Sequence, residues 1–354
     1  MFYVEEPMMG DGPARLEVKQ DPSTLVNVVI PILPEHLTDR EREAEQARLI
    51  GELAIAHAIE NPVVWFYTPM ALPLAERLTP RACIYDCMDE LSAFKNAPKE
   101  LLAREAELLD VADVVYTGGQ ALFEAKKHLH RNIHAFPSSV DCAHFGQARF
   151  PQPDPEDQAS IPGPRLGFFG VIDERMDLEL LEAVARQRPD WHLVLLGPVC
   201  KVDQADLPRL PNIHYLGSKA YADLPKYVAG WDVALLPFAK NESTRFISPT
   251  KTPEYLAAGK PVVSTSIRDV VRPYSFLDLA RIADTPDAFV AACEAALEEP
   301  NARLLRRADP YLAKLSWDLT WSRMQSLMDR AAAAQRDSGE TAYGEFVGTE
   351  REVG

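Results

Sequence analysis

The sequence predicts an α/β fold with two doubly wound parallel-sheet domains that face each other across a cleft. Short apolar runs alternate with helical patterns in both halves of the 354-residue chain, which is typical of parallel βαβ units. The alternation stops at residues 150–164, a segment with five prolines and no periodicity that predicts a linker. The predicted divisions are an N-terminal domain (1–149), the linker (150–164), a second domain (165–310), a C-terminal helix (311–336) and a disordered tail (337–354).

The predicted strands of the first half are short runs rich in Val, Ile and aromatic residues, and the helices show a charged face opposite apolar positions. In chain order the elements are strand 2–5, strand 26–31, helix 40–59, strand 63–67, helix 70–78, strand 82–85, helix 99–110, strand 114–117, helix 120–128 and strand 133–136.

The same criteria apply to the second half. Its elements are strand 165–170, helix 177–187, strand 192–197, strand 213–217, helix 221–229, strand 233–237, a helix and strand within 248–265, strand 280–283, helix 286–298 and a final helix 311–334. Trp317 and Trp321, one turn apart in the final helix, are interpreted as packing residues.

Composition limits the classes of function. A content of 47% hydrophobic and 25% charged residues is typical of a globular protein with sizeable cores. The net charge of −16 argues against nucleic acid as a partner. The sequence has no apolar run of about 18 residues and no signal peptide, and its five cysteines are scattered, which together indicate a cytoplasmic protein with reduced thiols. Peripheral membrane association and the oligomeric state stay open.

One stretch, residues 248–265, has the pattern of a helix that leads into a buried strand. Ser248, Pro249 and Thr250 are typical of a helix start, and residues 261–265 are typical of a short parallel strand. The glycine between them suits a helix end. The sequence therefore predicts a helix N-terminus at the edge of a sheet.

Lys251 and Glu254 indicate what this helix start can bind. Unpaired N–H groups at a helix N-terminus, with Lys251 beside them, attract an anion. Glu254, one turn further on, can accept hydrogen bonds from a sugar hydroxyl or a ribose diol. The alternative is a capped helix with a solvated lysine and glutamate.

Two other strand ends carry candidate residues. Gly170 would let a ligand approach the backbone, and Arg175 can pair with phosphate oxygens. Gly217, Ser218 and Lys219 follow another strand, where backbone groups can contact a base edge. Each of the two sites is equally well interpreted as an ordinary glycine turn with a solvated charge.

Several motifs of the chain occur in a specific order. They are Gly170 with Glu174-Arg175, Pro189 to His192, Gly197-Pro198, Pro211 to Ile213, Gly217, Leu224-Pro225, Asp232-Val233, Pro237-Phe238, Ser248 to Lys251, Glu254 to Leu256 and Gly259 to Val263, preceded by Asn132, Phe136 to Asp141 and His144-Phe145. Together they resemble the GT-B glycosyltransferases, and most of all the retaining branch known as glycosyltransferase family 4. The likeness extends over residues 60–330.

The resemblance implies roles for the residues of the second half. It implies that Glu254 binds the nucleotide ribose, and that residues 248–251 and Arg175 bind the diphosphate of a nucleotide-sugar donor. Because the departing nucleoside diphosphate gathers charge as the glycosidic bond breaks, stabilising it is the main electrostatic task, which Arg175, Lys251 and the helix end would carry.

The resemblance also implies that residues 217–219 flank the base. Asp86 and Asp89, which follow a strand of the first half, would orient the donor sugar or the acceptor. A capping and turn role for these two aspartates is the alternative.

The chain departs from the family pattern at three places. Phe246 stands where the family commonly has a glutamate, and Val171 stands near the place of a basic residue. The chain also begins at what resembles the second strand of the N-terminal domain, so the first strand and its acceptor-side loop are expected to be missing.

The expected function is the transfer of a sugar from a nucleoside diphosphate sugar to a saccharide or lipid-linked acceptor of a cell-envelope polysaccharide, without a cofactor. No Asp-X-Asp triplet occurs, and the eight histidines form no ligand pattern, so no metal site is expected. Two alternatives stay open: a catalytically inert nucleotide-sugar-binding subunit, and a sugar-nucleotide epimerase of the same fold.

Overall fold

The computed structural model describes residues 1–338, with side chains to residue 334. These residues form two compact units. The first unit contains Met1–Cys87, Pro98–Val115 and the described residues from Leu327 on, and the second contains Met88–Ala97 and Tyr116–Ser326. The domain boundaries expected from the sequence stay a prediction. The expected disordered tail lies almost entirely outside the described residues.

The first unit begins with a mixed sheet. Strand β4 (Asn27–Leu33) pairs in parallel with β1 (Phe2–Val4) and β2 (Met8–Met9), and it pairs antiparallel with β3 (Arg15–Gln20). The sequence did not predict β3, because its charged and mostly exposed residues look like a polar loop. Helix α1 (Asp39–Ala56) follows and begins with a capping box between its N-cap and its third residue.

The remaining elements of the first unit largely agree with the prediction. They are β5 (Val63–Phe66), β6 (Ala82–Cys87), α2 (Leu101–Val111) and β7 (Val114–Thr117). β5 and β6 pair in parallel, and β7 runs on into the second unit. The helix predicted at 70–78 is instead a 3-10 helix, Pro69–Ala75. Pro73 inside it has no N–H to donate and so disfavours an α-helix.

The second unit is organised around a six-stranded sheet in which all five neighbouring strand pairs are parallel. The strand order is β11-β10-β9-β12-β13-β14. The strands are β9 (Arg165–Phe169), β10 (His192–Leu196), β11 (Ile213–Gly217), β12 (Val233–Leu236), β13 (Val262–Ser264) and β14 (Ala280–Ile282). β9 and β12 are buried throughout, as expected for central strands with both faces covered. The predicted parallel α/β fold is therefore confirmed.

Helices and one further strand, β8, complete the second unit. They are α3 (Gln120–Lys126), β8 (Ile133–Ala135), α4 (Cys142–Gly146), α5 (Glu156–Ala159), α6 (Leu178–Gln187), α7 (Leu224–Ala229), α8 (Lys251–Ala257), α9 (Arg268–Val270), α10 (Pro286–Glu298), α11 (Asn301–Leu312) and α12 (Trp317–Ser338). The last of these continues into the first unit from residue 327.

Two segments contain structure that the sequence did not predict. The segment 150–164, predicted as a linker, contains α5 and the buried side chains of Gln158 and Ile161. The single C-terminal helix expected from residue 311 is two helices, with a break at 313–316 where Ser316 Oγ accepts a hydrogen bond from the Leu319 N–H. Trp317 and Trp321 are about half exposed and lie outside the core.

The chain order reverses at the centre of this sheet. From β9 the chain moves outward to β10 and β11, then returns to the other side of β9 with β12. Ligands of open α/β sheets bind outside the carboxyl ends of the strands at such a reversal. A binding site is therefore expected beside the residues that follow β9 and β10.

Candidate functional site

Gly170, directly after β9, brings its backbone against the side chain of Lys251. Its φ is +144°, and a Cβ built there would overlap Cε of Lys251 and lie 2.9 Å from Nζ. Only glycine suits both the backbone conformation and the close approach. The Lys251 ammonium also lies 5.9 Å from the ring centroid of Phe168, within β9. An amino group is thus held at the carboxyl edge of the central strand.

The start of α8 differs from the prediction. The helix begins at Lys251, and its N-cap, Thr250, forms no side-chain cap. Ser248 does not cap it either, because its hydroxyl bonds the carboxylate of Asp269. Pro249 contributes only a backbone carbonyl, which accepts from the Thr252 N–H at 3.3 Å. Since α8 has seven residues, its dipole is small, and Lys251 rather than the helix end supplies most of the positive charge.

Lys251 and Glu254 are partly buried side chains of opposite charge that do not form an ion pair with each other. Among the described residues, neither side chain has an ion-pair partner or a hydrogen bond. Burial lowers the pKa of Lys251, which nearby Glu254 partly offsets. Burial raises the pKa of Glu254 to about 7, against the opposing effect of Lys251. Charged groups that are partly desolvated and lack hydrogen bonds are costly, so both side chains are available to polar groups of a ligand.

Arg175 is oriented by Asp173. Its Nη2 lies 2.6 Å from Oδ2 of Asp173, and its Nε bonds both oxygens of the same carboxylate at 3.0 and 3.1 Å. This bond to Asp173 raises the pKa of Arg175. Nη1 has no bond within the described residues. Asp173 thus fixes the guanidinium through Nε and Nη2, and the N–H groups of Nη1 can donate to an anion.

Asp89 belongs to the same unit and lies close enough to Arg175 to be affected by its charge. Burial raises the pKa of Asp89, and Arg175 lowers it. Its carbonyl oxygen accepts a hydrogen bond from the Leu91 N–H at 3.1 Å, in keeping with the turn role that the sequence left open.

Asp86 belongs to the first unit and is a strand residue rather than a cap. It lies within β6, 4% exposed, and its carboxylate accepts a hydrogen bond from the indole N–H of Trp65 at 3.2 Å. Burial raises the pKa of Asp86 to about 6. The capping alternative is therefore wrong for Asp86, and its role toward a substrate stays a prediction.

The residues predicted to flank a base differ in whether they are available to a ligand. Gly217 has a φ of +68°, which glycine adopts without strain. Lys219 is already paired, since its ammonium lies 2.6 Å from Oδ2 of Asp157 on α5. The charge of Lys219 thus stabilises the fold of the second unit. Contact of residues 217–219 with a base stays a prediction that depends on backbone groups and Ser218.

The sequence reasoning missed an aromatic pair near Glu254. The rings of Tyr221 and His144 stack with centroids 4.2 Å apart and planes inclined by 10°. Tyr221 is 54% exposed, and the charge of Glu254 contributes to the raised pKa of Tyr221. The sequence predicts a helix at Tyr221, and the 33 residues between Tyr221 and Glu254 give no signal that the two lie close together.

The second unit therefore brings together most of the predicted site residues. Lys251 contacts Gly170. The charges of Arg175 and Glu254 shift the pKa of Lys251, and the charge of Arg175 shifts the pKa of Asp89. Two cations beside an unpaired carboxylate suit a ligand with a diphosphate and a diol. In the part of the chain that the structure describes, no group of three or more His, Cys, Asp or Glu side chains is arranged to hold a metal ion.

Comparison with known proteins shows which family this part of the chain resembles. Residues 163–299 match the family model described as Glycosyl transferases group 1. This segment is similar to the group 1 glycosyltransferases. It contains Gly170, Arg175, Lys251 and Glu254. The family resemblance and the enzyme class expected from the sequence are confirmed.

A relative and two solved structures extend the comparison of this glycosyltransferase to the rest of the chain. TuaH of Bacillus subtilis (strain 168), described as a glycosyltransferase of teichuronic acid biosynthesis, is 29% identical over 269 residues, 70% of this chain and 67% of that protein. The α,α-trehalose 6-phosphate synthase of Burkholderia multivorans has a TM-score of 0.64 and 16% identity, over 94% of this chain and 91% of that one. The sucrose-phosphate synthase of Thermosynechococcus elongatus has a TM-score of 0.64 and 14% identity, over 93% and 89%. The structural similarities confirm the GT-B fold.

No helix among the described residues is both long and apolar enough to cross a membrane.

Proposed function

We propose that this glycosyltransferase moves a sugar from a nucleoside diphosphate sugar to a saccharide or lipid-linked acceptor, in the cytoplasm, with retention of configuration and without a metal ion or cofactor. One observation carries the proposal: the partly buried carboxylate of Glu254 and the partly buried ammonium of Lys251 lie one helical turn apart, each without an ion-pair or hydrogen-bond partner among the described residues. A ribose diol and a diphosphate supply the partners that these two groups lack.

The proposed chemistry assigns different tasks to the two groups. Glu254 accepts hydrogen bonds from the ribose hydroxyls and so fixes the nucleotide. Lys251 and Arg175 bind the diphosphate, which gains negative charge as the bond between the sugar and the phosphate oxygen breaks. Cations held in a buried site stabilise that charge more strongly than water does. They take the place of a magnesium ion, which is the basis for proposing metal independence.

The acceptor and the stereochemistry are proposed from similarity to other proteins. Retention follows from the resemblance to the retaining branch of the family. TuaH is described in terms of teichuronic acid biosynthesis, so polymers of this type and their lipid-linked precursors are the acceptors to test first. Peripheral association with a membrane is proposed only as far as a lipid-linked acceptor requires it.

A transfer assay tests the proposal. Purified full-length protein is incubated with radiolabelled UDP-, GDP- and ADP-sugars and with envelope polysaccharide or its lipid-linked precursors, with and without EDTA. The expected result is a labelled glycoside, one equivalent of free nucleoside diphosphate per glycoside, and an undiminished rate in EDTA.

The other outcomes separate the alternatives. An isomerised sugar nucleotide without glycoside would establish an epimerase. Binding of a donor with no turnover on any acceptor would favour an inert binding subunit. Loss of turnover in EDTA, restored by added magnesium, would refute metal independence and leave sugar transfer standing.

A further inference from the structure

Two cations of the second unit share one aromatic ring. Cζ of Arg175 lies 5.7 Å from the ring centroid of Phe94, and Nζ of Lys201 lies 5.6 Å from the same centroid. Both distances are within the range of a cation–π contact. Phe94 is partly buried, in the segment Met88–Ala97 that packs within the second unit. Arg175 and Lys201 are therefore neighbours across this ring.

Backbone pairing brings Lys201 to this position. The Cys200 N–H donates to the Ile172 carbonyl at 3.0 Å, and the Ile172 N–H donates to the Pro198 carbonyl at 2.9 Å. The segments that follow β9 and β10 thus continue side by side beyond the sheet. Because Lys201 comes directly after Cys200, it leaves the sheet beside the segment that carries Arg175.

The backbone of Lys201 is held in an uncommon conformation. Its φ is +59°, in the left-handed region that costs a non-glycine residue about 1 kcal/mol or more. Such strain persists only where the surroundings impose it, and it is common at ligand sites. Here it accompanies the side chain that reaches the Phe94 ring.

The two cations at the ring differ in their acidic neighbours. Asp173 pairs with Arg175, and the charges of Asp89 and Glu174 also act on Arg175. Lys201, in contrast, has no carboxylate within 4 Å among the described residues, and it shares the ring with a second cation. Two like charges at one ring repel each other, and an anion that contacts both removes the repulsion.

We propose that Lys201 is a third cation of the diphosphate site. Lys201 contacts the phosphate groups together with Arg175, and its cation–π contact with the Phe94 ring holds it in position. This inference rests on the proposed function, because it assigns a further ligand to the same diphosphate. Nothing in the sequence indicated it, since Lys201 lies in a polar loop without a motif and Phe94 is more than 100 residues away.

The test compares matched variants by calorimetric titration. Lys201→Asn removes the charge and keeps a residue that tolerates a positive φ, and Lys201→Arg keeps the charge. Lys226→Asn, on α7 and paired with Asp223, is the control for loss of one surface charge. The ligands are UDP, GDP and ADP, the corresponding monophosphates, and inorganic pyrophosphate as a probe without a base.

The expected result is that Lys201→Asn weakens binding of the preferred nucleoside diphosphate and of pyrophosphate roughly tenfold, as for loss of a charge-assisted hydrogen bond. Lys201→Arg and Lys226→Asn bind as wild type does. Phe94→Leu, which removes the ring, weakens diphosphate binding roughly threefold, the scale of an exposed cation–π contact. The effect of Lys201→Asn shrinks at high salt.

Two results would overturn the inference while the proposed function stands. In the first, Lys201→Asn binds the nucleoside diphosphate as tightly as wild type does. In the second, Lys201→Asn loses the same affinity for the monophosphate as for the diphosphate, which indicates a structural role. If wild type binds no nucleoside diphosphate, the proposed function fails and the inference fails with it.

Discussion

The backbone of Gly170 lies so close to the side chain of Lys251 that a methyl group at residue 170 would overlap Cε of the lysine. The amino group that is proposed to bind the diphosphate is therefore positioned by a glycine at the end of the central strand. The relationship places a constraint on both residues that mutation can test.

Gly170→Ala is expected to impair binding and stability together. The alanine would be strained at a φ of +144° and would displace Lys251, so we expect roughly tenfold weaker binding of a nucleoside diphosphate and a loss of about 1–3 kcal/mol in the free energy of unfolding. Calorimetry and urea unfolding measure the two effects. Gly146→Ala is the matched control, because nothing lies within 4 Å of a Cβ at residue 146. Wild-type affinity in Gly170→Ala would show that Lys251 does not need this position.

Nucleotide binding is expected to depend on the ionisation of Glu254. Its pKa is raised by burial to about 7, and only the carboxylate form accepts hydrogen bonds from both ribose hydroxyls. Affinity should therefore rise roughly tenfold between pH 6 and pH 8, as for titration of one group. In Glu254→Gln this rise should be absent. The phosphate groups of the ligand titrate equally with both proteins, so the difference between wild type and variant isolates Glu254. The same pH profile in both proteins would remove Glu254 from the site.

The same carboxylate is expected to make wild-type protein less stable as the pH rises. The folded-state pKa of Glu254 lies above its ordinary value of 4.5, so between pH 4.5 and 7 the folded state holds a proton that the unfolded state has lost. The free energy of unfolding should fall across this range by at most roughly 3 kcal/mol and then level off. Glu254→Gln should remove this fall and be the more stable protein at pH 8.

Asp86 should contribute a separate fall in stability at lower pH. Burial raises its pKa from 3.8 to about 6, so its contribution is lost as the pH rises from about 4 to about 6. Asp86→Asn keeps an oxygen for the Trp65 indole and should flatten that part of the profile. Urea unfolding at a series of pH values measures both variants. A wild-type profile that rises with pH from 4.5 to 7 would contradict both assignments.

Asp269 is expected to be the strongest single determinant of the loop before α8. Its carboxylate accepts hydrogen bonds from the Gln120 N–H at 2.8 Å and the Ala121 N–H at 2.9 Å, and it also bonds the Ser248 hydroxyl. Asp269→Ala removes all of these bonds and should lower the free energy of unfolding by about 2–4 kcal/mol. Ser248→Ala, which removes one of them, should cost about 1 kcal/mol. Equal effects in both variants would show that the two N–H groups find other partners.

The sequence predicted those features that depend on local patterns. Apolar runs such as β9 and β12 are recognisable because strands buried on both faces need continuous hydrophobic residues. Gly170, Lys251 and Glu254 are predicted as site residues because strand ends and helix starts are the places where backbone groups and charges can contact a ligand. The features it predicted least well depend on contacts between distant residues.

Three residues illustrate the second kind. Ser248 has the sequence pattern of a cap, but its hydroxyl instead bonds the carboxylate of Asp269, 21 residues later in the chain. Lys219 has the sequence pattern of a ligand-binding residue, yet its ammonium forms an ion pair with Asp157 on α5. Lys201 looks like a solvated loop lysine, yet backbone pairing beyond the sheet brings it to Phe94. Local pattern does not encode any of these pairings, since each is created by the packing of the second unit.

The most direct test of the central claim is the ratio of dissociation constants for wild type and Lys251→Met, measured by calorimetry with whichever of UDP, GDP and ADP binds wild type most tightly. Methionine keeps most of the apolar stem and removes the charge. If the partly buried ammonium binds the diphosphate, the variant binds at least roughly tenfold more weakly. Equal affinities would contradict the claim, as would the absence of binding by wild type to all three nucleotides.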